Sequence, residues 1–234
     1  MLDSKSSLII WNINADVFNR EKYIELKHRL SESGETPQII AINEVKAKNP
    51  KHSIELVEYQ LPGYSFESLN LLNSTGRGMV LYILSSIKYS PLNFSSSFVE
   101  AQVAIIEPQT ENQLVFGSIY RSPTCTLENT KQLNSLIDGI MRHKPEKLLL
   151  MGDFNYPSID WTNVTVSGSV HSKEFLFVET LRDNFLSQLS LKPTRGRGTN
   201  IPSTLDLVIV NDEHLVKSVE TGPRSARVTI PLYK

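Results

Sequence analysis

Gly152-Asp153-Phe154-Asn155 closes the apolar run Lys147–Met151 with a carboxylate and a carboxamide two residues apart. In an extended chain, side chains at that spacing point the same way. A carboxylate can take a proton from water, and a carboxamide can donate to an oxygen that is gaining negative charge. Four other stretches share the design. Trp11-Asn12-Ile13-Asn14 ends an apolar run with two carboxamides, whose oxygens suit a hard cation and whose nitrogens suit a phosphate. Ile40-Ala41-Ile42-Asn43-Glu44 delivers one carboxylate to the end of a buried run. One carboxylate with amides and water suits Mg2+, which keeps much of its hydration shell. Ile119-Tyr120-Arg121-Ser122-Pro123 offers a phenol and a guanidinium, both able to contact a phosphate. Ser203-Thr204-Leu205-Asp206-Leu207-Val208 sets one acid within an apolar run, where a charge needs a partner.

Each stretch alone has an ordinary explanation. Asp and Asn form turns, a lone Glu is a solvated surface acid, and a strand-end Tyr packs on a loop. Asp206 is served worst by such an explanation. Taken together, a metal ion, an acid that activates water and amides that hold a phosphate make a site for phosphodiester hydrolysis.

Strands and helices in alternation must position these residues. Strands are predicted at Leu8–Trp11, Gln38–Ile42, Gly78–Leu84, Phe98–Ile106, Leu114–Tyr120, Lys147–Met151 and Thr204–Val210. Lys217–Glu220 and Val228–Pro231 would close the sheet. Helices are predicted at Glu21–Leu30, with Tyr23, Leu26 and Leu30 on one face, and at Leu127–Arg142 behind an N-capping Thr126. The latter carries the stripe Leu133, Leu136, Ile137, Ile140 and Met141. A third helix fits Lys173–Ser187, with Phe175, Val178, Leu181 and Phe185 inward. Many strands with few helices point to an α/β (α+β) fold, two sheets face to face with helices outside.

The 234 residues, 40% hydrophobic and 21% charged, suit one domain over 1–234 with a sizeable core. A formal net charge of -1 excludes bulk attraction to nucleic acid, so DNA contact would need a local basic patch. The sole cysteine, Cys125, cannot form an internal disulfide and reads as a small filler residue in a reducing, intracellular setting. Met1–Ser7 does not resemble a signal peptide, no run reaches the length of a membrane span, and no membrane partner is expected. The sequons at Asn73, Asn93 and Asn163 are read as chance.

The ordered set WNIN, NE, YRSP, GDFN, TLDLV resembles the endonuclease/exonuclease/phosphatase superfamily, in particular the endonuclease domains of non-LTR (LINE-like, jockey-type) retrotransposons. Lys192-Pro193-Thr194-Arg195-Gly196 through Asp206 is similar to the PTRG…LDLV segment of such elements. The resemblance runs from about Leu8 to Ile230. It implies a four-layered sandwich of two mixed β-sheets flanked by helices. It also implies roles: Glu44 as the main Mg2+ (or Mn2+) ligand with Asn12 beside it, Tyr120 on the phosphate, and Asp153 on the attacking water. Asn155 would steady the transition state, Asp206 would orient a catalytic histidine, and Asn14 would sit where some members place another polar group of the metal site. Thr194 would contact phosphate, and Arg121, Arg195 and Arg197 a DNA backbone. The implied partner is a DNA duplex in the nucleus, with a reverse transcriptase domain carried by relatives but absent from this chain, which is expected to be a monomer.

The departure is at the end. The family pattern closes with Ser-Asp-His before a short apolar strand. Here Ser225 keeps the serine, Ala226 stands for the acid and Arg227 for the histidine, a degenerate or truncated final motif. Alanine binds no metal, and arginine stays protonated and cannot act as a base. Arg227 in the histidine's place could grip a phosphate, or pair with Asp206. His171 and His214 lie in surroundings unlike the motif. Three readings stand: a Mg2+-dependent endonuclease that is impaired, an inactive pseudo-nuclease that at most binds phosphate backbones, and a phosphatase on a small or lipid phosphoester. The LDLV segment speaks against the third.

Overall fold

Burial with period two sets the frame. In β1 (Ser7–Asn14), Leu8, Ile10, Asn12 and Asn14 are buried on one face, while Ile9 and Ile13 are half-buried on the other. The computed structural model describes residues 7–47, 56–73, 75–108, 113–190, 203–222 and 225–232. β1 pairs in parallel with β2 (Ile39–Asn43) and antiparallel with β14 (Ser225–Pro231). β4 (Met79–Leu84) and β3 (Tyr64–Leu69) extend one side and β13 (Ser218–Gly222) the other, giving the order β13-β14-β1-β2-β4-β3.

The second sheet repeats the plan. Its parallel pair is β7 (Leu114–Tyr120) and β8 (Lys147–Asp153). Antiparallel neighbours are β6 (Ala101–Glu107) and β5 (Lys88–Leu92) on one side, β12 (Asp206–Val210) and β11 (Ser187–Gln188) on the other. The short strands β9 (Ile159–Asp160) and β10 (Thr165–Val166) form a separate pair.

Three apolar clusters hold four layers together. Between the sheets, Leu8, Ile10, Ile39 and Leu81 meet Phe116, Leu149, Met151 and Val208. On the outer face of the first sheet, Leu26 of α1 (Arg20–Glu32) packs with Trp11, Ile40, Ile42 and Tyr82. On the outer face of the second, α2 (Leu127–Arg142) and α3 (Lys173–Asp183) bury Leu133, Ile137, Ile140, Phe177 and Leu181 against Leu148 and Leu150. The four-layered sandwich of two mixed sheets is therefore the one the sequence implied. Side-chain oxygens of Asn19, Thr126 and Ser172 cap the three helices.

Differences fall at edges and ends. β3 and β5 went unpredicted because both are partly exposed edge strands without a clean alternation, and β5 carries Pro91. α3 stops at Asp183, so Phe185, expected inward, lies two residues beyond the helix with φ +54 and is 87% exposed. Phe177 takes the buried place instead.

The topology decides where chemistry can sit. β1 and β2 are parallel, as are β7 and β8, so each pair delivers two carboxyl ends to the same edge. β12 runs antiparallel to β8 and begins there, with Asp206 paired in register to Asp153.

Candidate active site

The layer between the sheets changes character towards that edge. Behind the apolar residues comes a polar row: Asn12, Asn43 and Ser118, all fully buried. Ser118 Oγ donates to Asn43 Oδ1 at 3.1 Å, and Asn43 Nδ2 donates to Asn12 Oδ1 at 3.4 Å. Two residues further along β1, Asn14 Nδ2 donates to Glu44 Oε1 at 2.7 Å and to Asp153 Oδ2 at 2.8 Å. One amide nitrogen thus ties the first sheet's acid to the second sheet's acid. Asn12 was expected beside Glu44; the structure puts it one row deeper and gives that contact to Asn14. Both carboxamides share a face because the strand repeats every two residues, and only the later one reaches the rim.

Glu44 follows β2 with φ +54, which swings its carboxylate to the rim. Its Oε2 is 2.5 Å from Arg77 Nη1, a residue the sequence reading did not single out. Arg77 Nη2 lies 3.4 Å from Asp16 Oδ1, its Nε donates to the Lys46 carbonyl at 2.8 Å, and its backbone N–H donates to Glu100 Oε1 at 2.5 Å. Burial pushes the Glu100 carboxyl above the usual carboxylate range and lowers the Lys46 ammonium. Lys46 Nζ donates to the carbonyls of Asn73 and Thr75. The one signal in sequence was an arginine between two glycines, Gly76-Arg77-Gly78, directly before a strand.

Tyr120, Asp153 and Asp206 stand in register across β7, β8 and β12. Burial, then the charges of Glu44 and Asp153, push the Tyr120 phenol far above its ordinary value, so it is a hydrogen-bond donor at every physiological pH. Gly152 has φ +148, and a Cβ there would fall 1.8 Å from the Ile119 carbonyl oxygen. The GDFN glycine is thus required by the closeness of β7. Asn155 follows on the adjoining turn with φ +51, and its Nδ2 donates to the Arg121 carbonyl at 2.7 Å.

Arg121 corrects an expectation. As a DNA-backbone contact it would have to be exposed, but it is fully buried. Nη1 donates to the Asn155 carbonyl at 3.0 Å, Nη2 reaches Thr130 Oγ1 and the Cys125 carbonyl at 3.4 Å, and the guanidinium lies 4.1 Å from the Tyr156 ring centroid. Its role is to hold the Asn155 turn against β7. Thr194, Arg195 and Arg197 lie outside the described residues.

Comparison with known proteins agrees with this architecture. A family model described as endonuclease-reverse transcriptase matches residues 114–226. The endonuclease domain of TRAS1, a telomere-specific non-LTR retrotransposon, superposes with a TM-score of 0.67 at 15% identity, over 97% of this chain and 99% of that one. The AP endonuclease LMAP from Leishmania major gives 0.68 at 13% identity, over 98% and 89%. The 3′ phosphatase NExo from Neisseria, bound to a product DNA hairpin, gives 0.63 at 14%, over 97% and 100%. The comparison with curated proteins gave no match. Residues 114–226 thus resemble that family, and the chain has the fold of the endonuclease and phosphatase structures on which it superposes.

Within this fold the final motif is where the structure departs from expectation. Arg227 was expected in the histidine's place, facing Asp206 or a phosphate. Instead it lies on the outer face of β14, where Nε and Nη2 bind Glu35 at 3.1 and 2.6 Å and Nη1 binds Glu220 at 2.6 Å. Ala226 is the inward residue, 3% exposed and paired in register with Asn12. The Nδ2 of Asn12 is buried without a hydrogen-bond partner among the described residues. Among the described histidines, His28 lies by Glu32 on α1, His143 ends α2 against the Phe94 ring, His171 precedes α3 and His214 sits in the turn at 213–215.

The resemblance implies a divalent cation at this rim. No cluster of three or more His, Cys, Asp or Glu occurs among the described residues. The set is nevertheless of the kind Mg2+ takes, one or two carboxylates with water completing the shell. Glu44 and Asp153 lie within hydrogen-bonding reach of the same amide nitrogen, so the donors fit in type and placement. No helix among the described residues is long and apolar enough to cross a membrane.

Proposed function

We propose that this chain, read as one domain over residues 1–234, is a Mg2+- or Mn2+-dependent phosphodiester hydrolase of the retrotransposon-endonuclease type. Its DNA nicking is impaired by the degenerate final motif. The observation that carries the reading is the single amide of Asn14 holding Glu44 and Asp153 together in the row that also presents Tyr120 and Asp206. A cation held by Glu44 with Asn14 would polarise a phosphate oxygen. Asp153 accepts the proton of the attacking water. The protonated Tyr120 donates to a phosphate oxygen, and Asn155 stands on the adjoining turn to steady developing charge. Asp206 would orient a base, and position 226 supplies none. The substrate is a DNA duplex, met in the nucleus by a monomer; a phosphate-binding domain without catalysis is the second reading, favoured by Ala226.

Plasmid nicking in Mg2+ and Mn2+ tests this. The native chain is expected to nick very poorly. Groups of the missing kind each supply about 10²- to 10⁴-fold. Ala226→His places an imidazole on the inner face of β14 and is expected to raise nicking, whereas Arg227→His, on the outer face, is not. Adding Asp153→Ala to Ala226→His should remove the gain. Strong native nicking that survives Asp153→Ala would sink the reading.

A further inference from the structure

The most thoroughly anchored group at this rim is a cation. Arg77 is held at four points: Glu44, Asp16, the Lys46 carbonyl and, through its backbone N–H, Glu100. Its loop is built to place it. Gly76 has φ +55 and a Cβ there would fall 2.2 Å from Glu100 Oε1; Gly78 has φ +70 with Leu71 at 2.5 Å. Val45 N–H donates to the Gly78 carbonyl and Lys46 N–H to the Arg77 carbonyl, stitching the loop alongside the residues that follow Glu44. The side chains of Arg77 and Glu44 are only 10% and 13% exposed, so water screens their attraction weakly.

We propose that Arg77 is the resident counter-ion of Glu44 and that a divalent cation binds here only in competition with it. This rests on the metal-dependent reading above. Glu44 Oε2 takes the guanidinium at 2.5 Å and Oε1 takes Asn14, so both oxygens already carry N–H donors. A metal ion must share or displace them. Proton loss cannot clear the way, because a guanidinium stays charged at any physiological pH. Weak metal binding by this chain is therefore a property of Arg77 as much as of the small number of acids. Asp16 retains one guanidinium nitrogen, so a cation on Glu44 need not expel Arg77 from the site altogether.

The test is Mn2+ titration of the full chain, by calorimetry and by the paramagnetic resonance signal of free Mn2+. Arg77→Met keeps an apolar stem and removes the charge. It is expected to bind Mn2+ about 10-fold more tightly or better, the worth of one hydrogen bond to a charged group. Glu44→Gln added to Arg77→Met should remove the gain. Arg77→Lys, whose compact ammonium cannot reach Glu44, Asp16 and the Lys46 carbonyl together, should also bind more tightly than native, and carries the comparison should the Met variant fail to fold. Mn2+ should raise the unfolding temperature of either variant more than that of the native chain. Equal affinity in native and folded Arg77 variants, or a gain that survives Glu44→Gln, overturns the counter-ion role. If native binding is lost in Glu44→Gln but unmoved by Arg77 changes, only that role falls. If no chain binds Mn2+ through Glu44, the metal-dependent reading falls with it.

Discussion

Arg121 offers the sharpest contrast between two roles for one residue. As a DNA contact, Arg121→Met would weaken binding evenly across sequences, reduce the salt slope by about one, and leave stability alone. The structure predicts the reverse. Of the guanidinium's hydrogen bonds only the one to the Asn155 carbonyl, at 3.0 Å, is of good length; those to Phe154, Cys125 and Thr130 are 3.4 Å. One good charged hydrogen bond contributes about 1.5 to 3 kcal/mol. Stacking on Tyr156 at 4.1 Å in a dry setting adds about 2 kcal/mol. Against this, Met relieves the burial of a charge, which offsets part of the sum. The expected net loss is about 2 to 4 kcal/mol, read by urea unfolding of the full chain. A double-mutant cycle with Tyr156→Leu should show coupling of about 1 kcal/mol or more, because the two groups are in contact. Arg121→Lys should behave nearly as badly as Met, since an ammonium cannot reproduce the planar fork. A loss below 0.5 kcal/mol, typical of surface changes, together with a reduced salt slope would refute the buried-lock argument.

Two further outcomes follow from the same geometry. Gly152→Ala should destabilise the fold by about 3 kcal/mol or more, from an unfavourable φ and the overlap with the Ile119 carbonyl, measured as a drop in unfolding temperature; a change near zero would mean the strands separate freely at the site. Tyr64 and Tyr156 are pushed up to about 12 by burial, and Tyr82 and Tyr120 further. Their folded values exceed the unfolded one, so their contribution to stability is complete below about pH 10 and is lost as pH rises from there towards 12. Tyrosinate absorbance and circular dichroism should change together in that window; complete tyrosine ionisation with the fold intact would contradict the burial.

What could be read from sequence was local. Glu44, Tyr120, Asp153 and Asp206 stood out because each follows or interrupts an apolar run; parallel pairs bring the first three to one edge as strand ends, and Asp206 reaches it as the start of an antiparallel strand. The N-caps and the α2 stripe were legible for the same reason, since a helix repeat needs only neighbouring residues. Arg77 was not, because its meaning comes from Glu44, Asp16 and Glu100, which lie far from it along the chain. Arg121 was misread because its neighbour Tyr120 faces the layer between the sheets, while burial of a guanidinium depends on α2 and the GDFN turn closing over it. Edge strands β3 and β5 were missed because exposure on one side erases the pattern that identifies a strand.

The final motif shows how much turns on a single step of register. Sequence order alone places Arg227 where a histidine is expected, and invites the picture of a guanidinium paired with Asp206. A strand, however, sends successive side chains to opposite faces, so a shift of one residue exchanges core for solvent. On β14 the inward set is Ala226, Val228 and Ile230, all packed in the layer between the sheets. Arg227 therefore looks outward, and two carboxylates, Glu35 and Glu220, account for its charge without any catalytic role. The inward position is 226. There a methyl group stands in register with Asn12, whose Nδ2 has no hydrogen-bond partner among the described residues, the kind of buried donor that an acid on the neighbouring strand would satisfy. The inward position of the final motif is thus held by a small residue, and the arginine beside it forms ion pairs on the other face of the sheet.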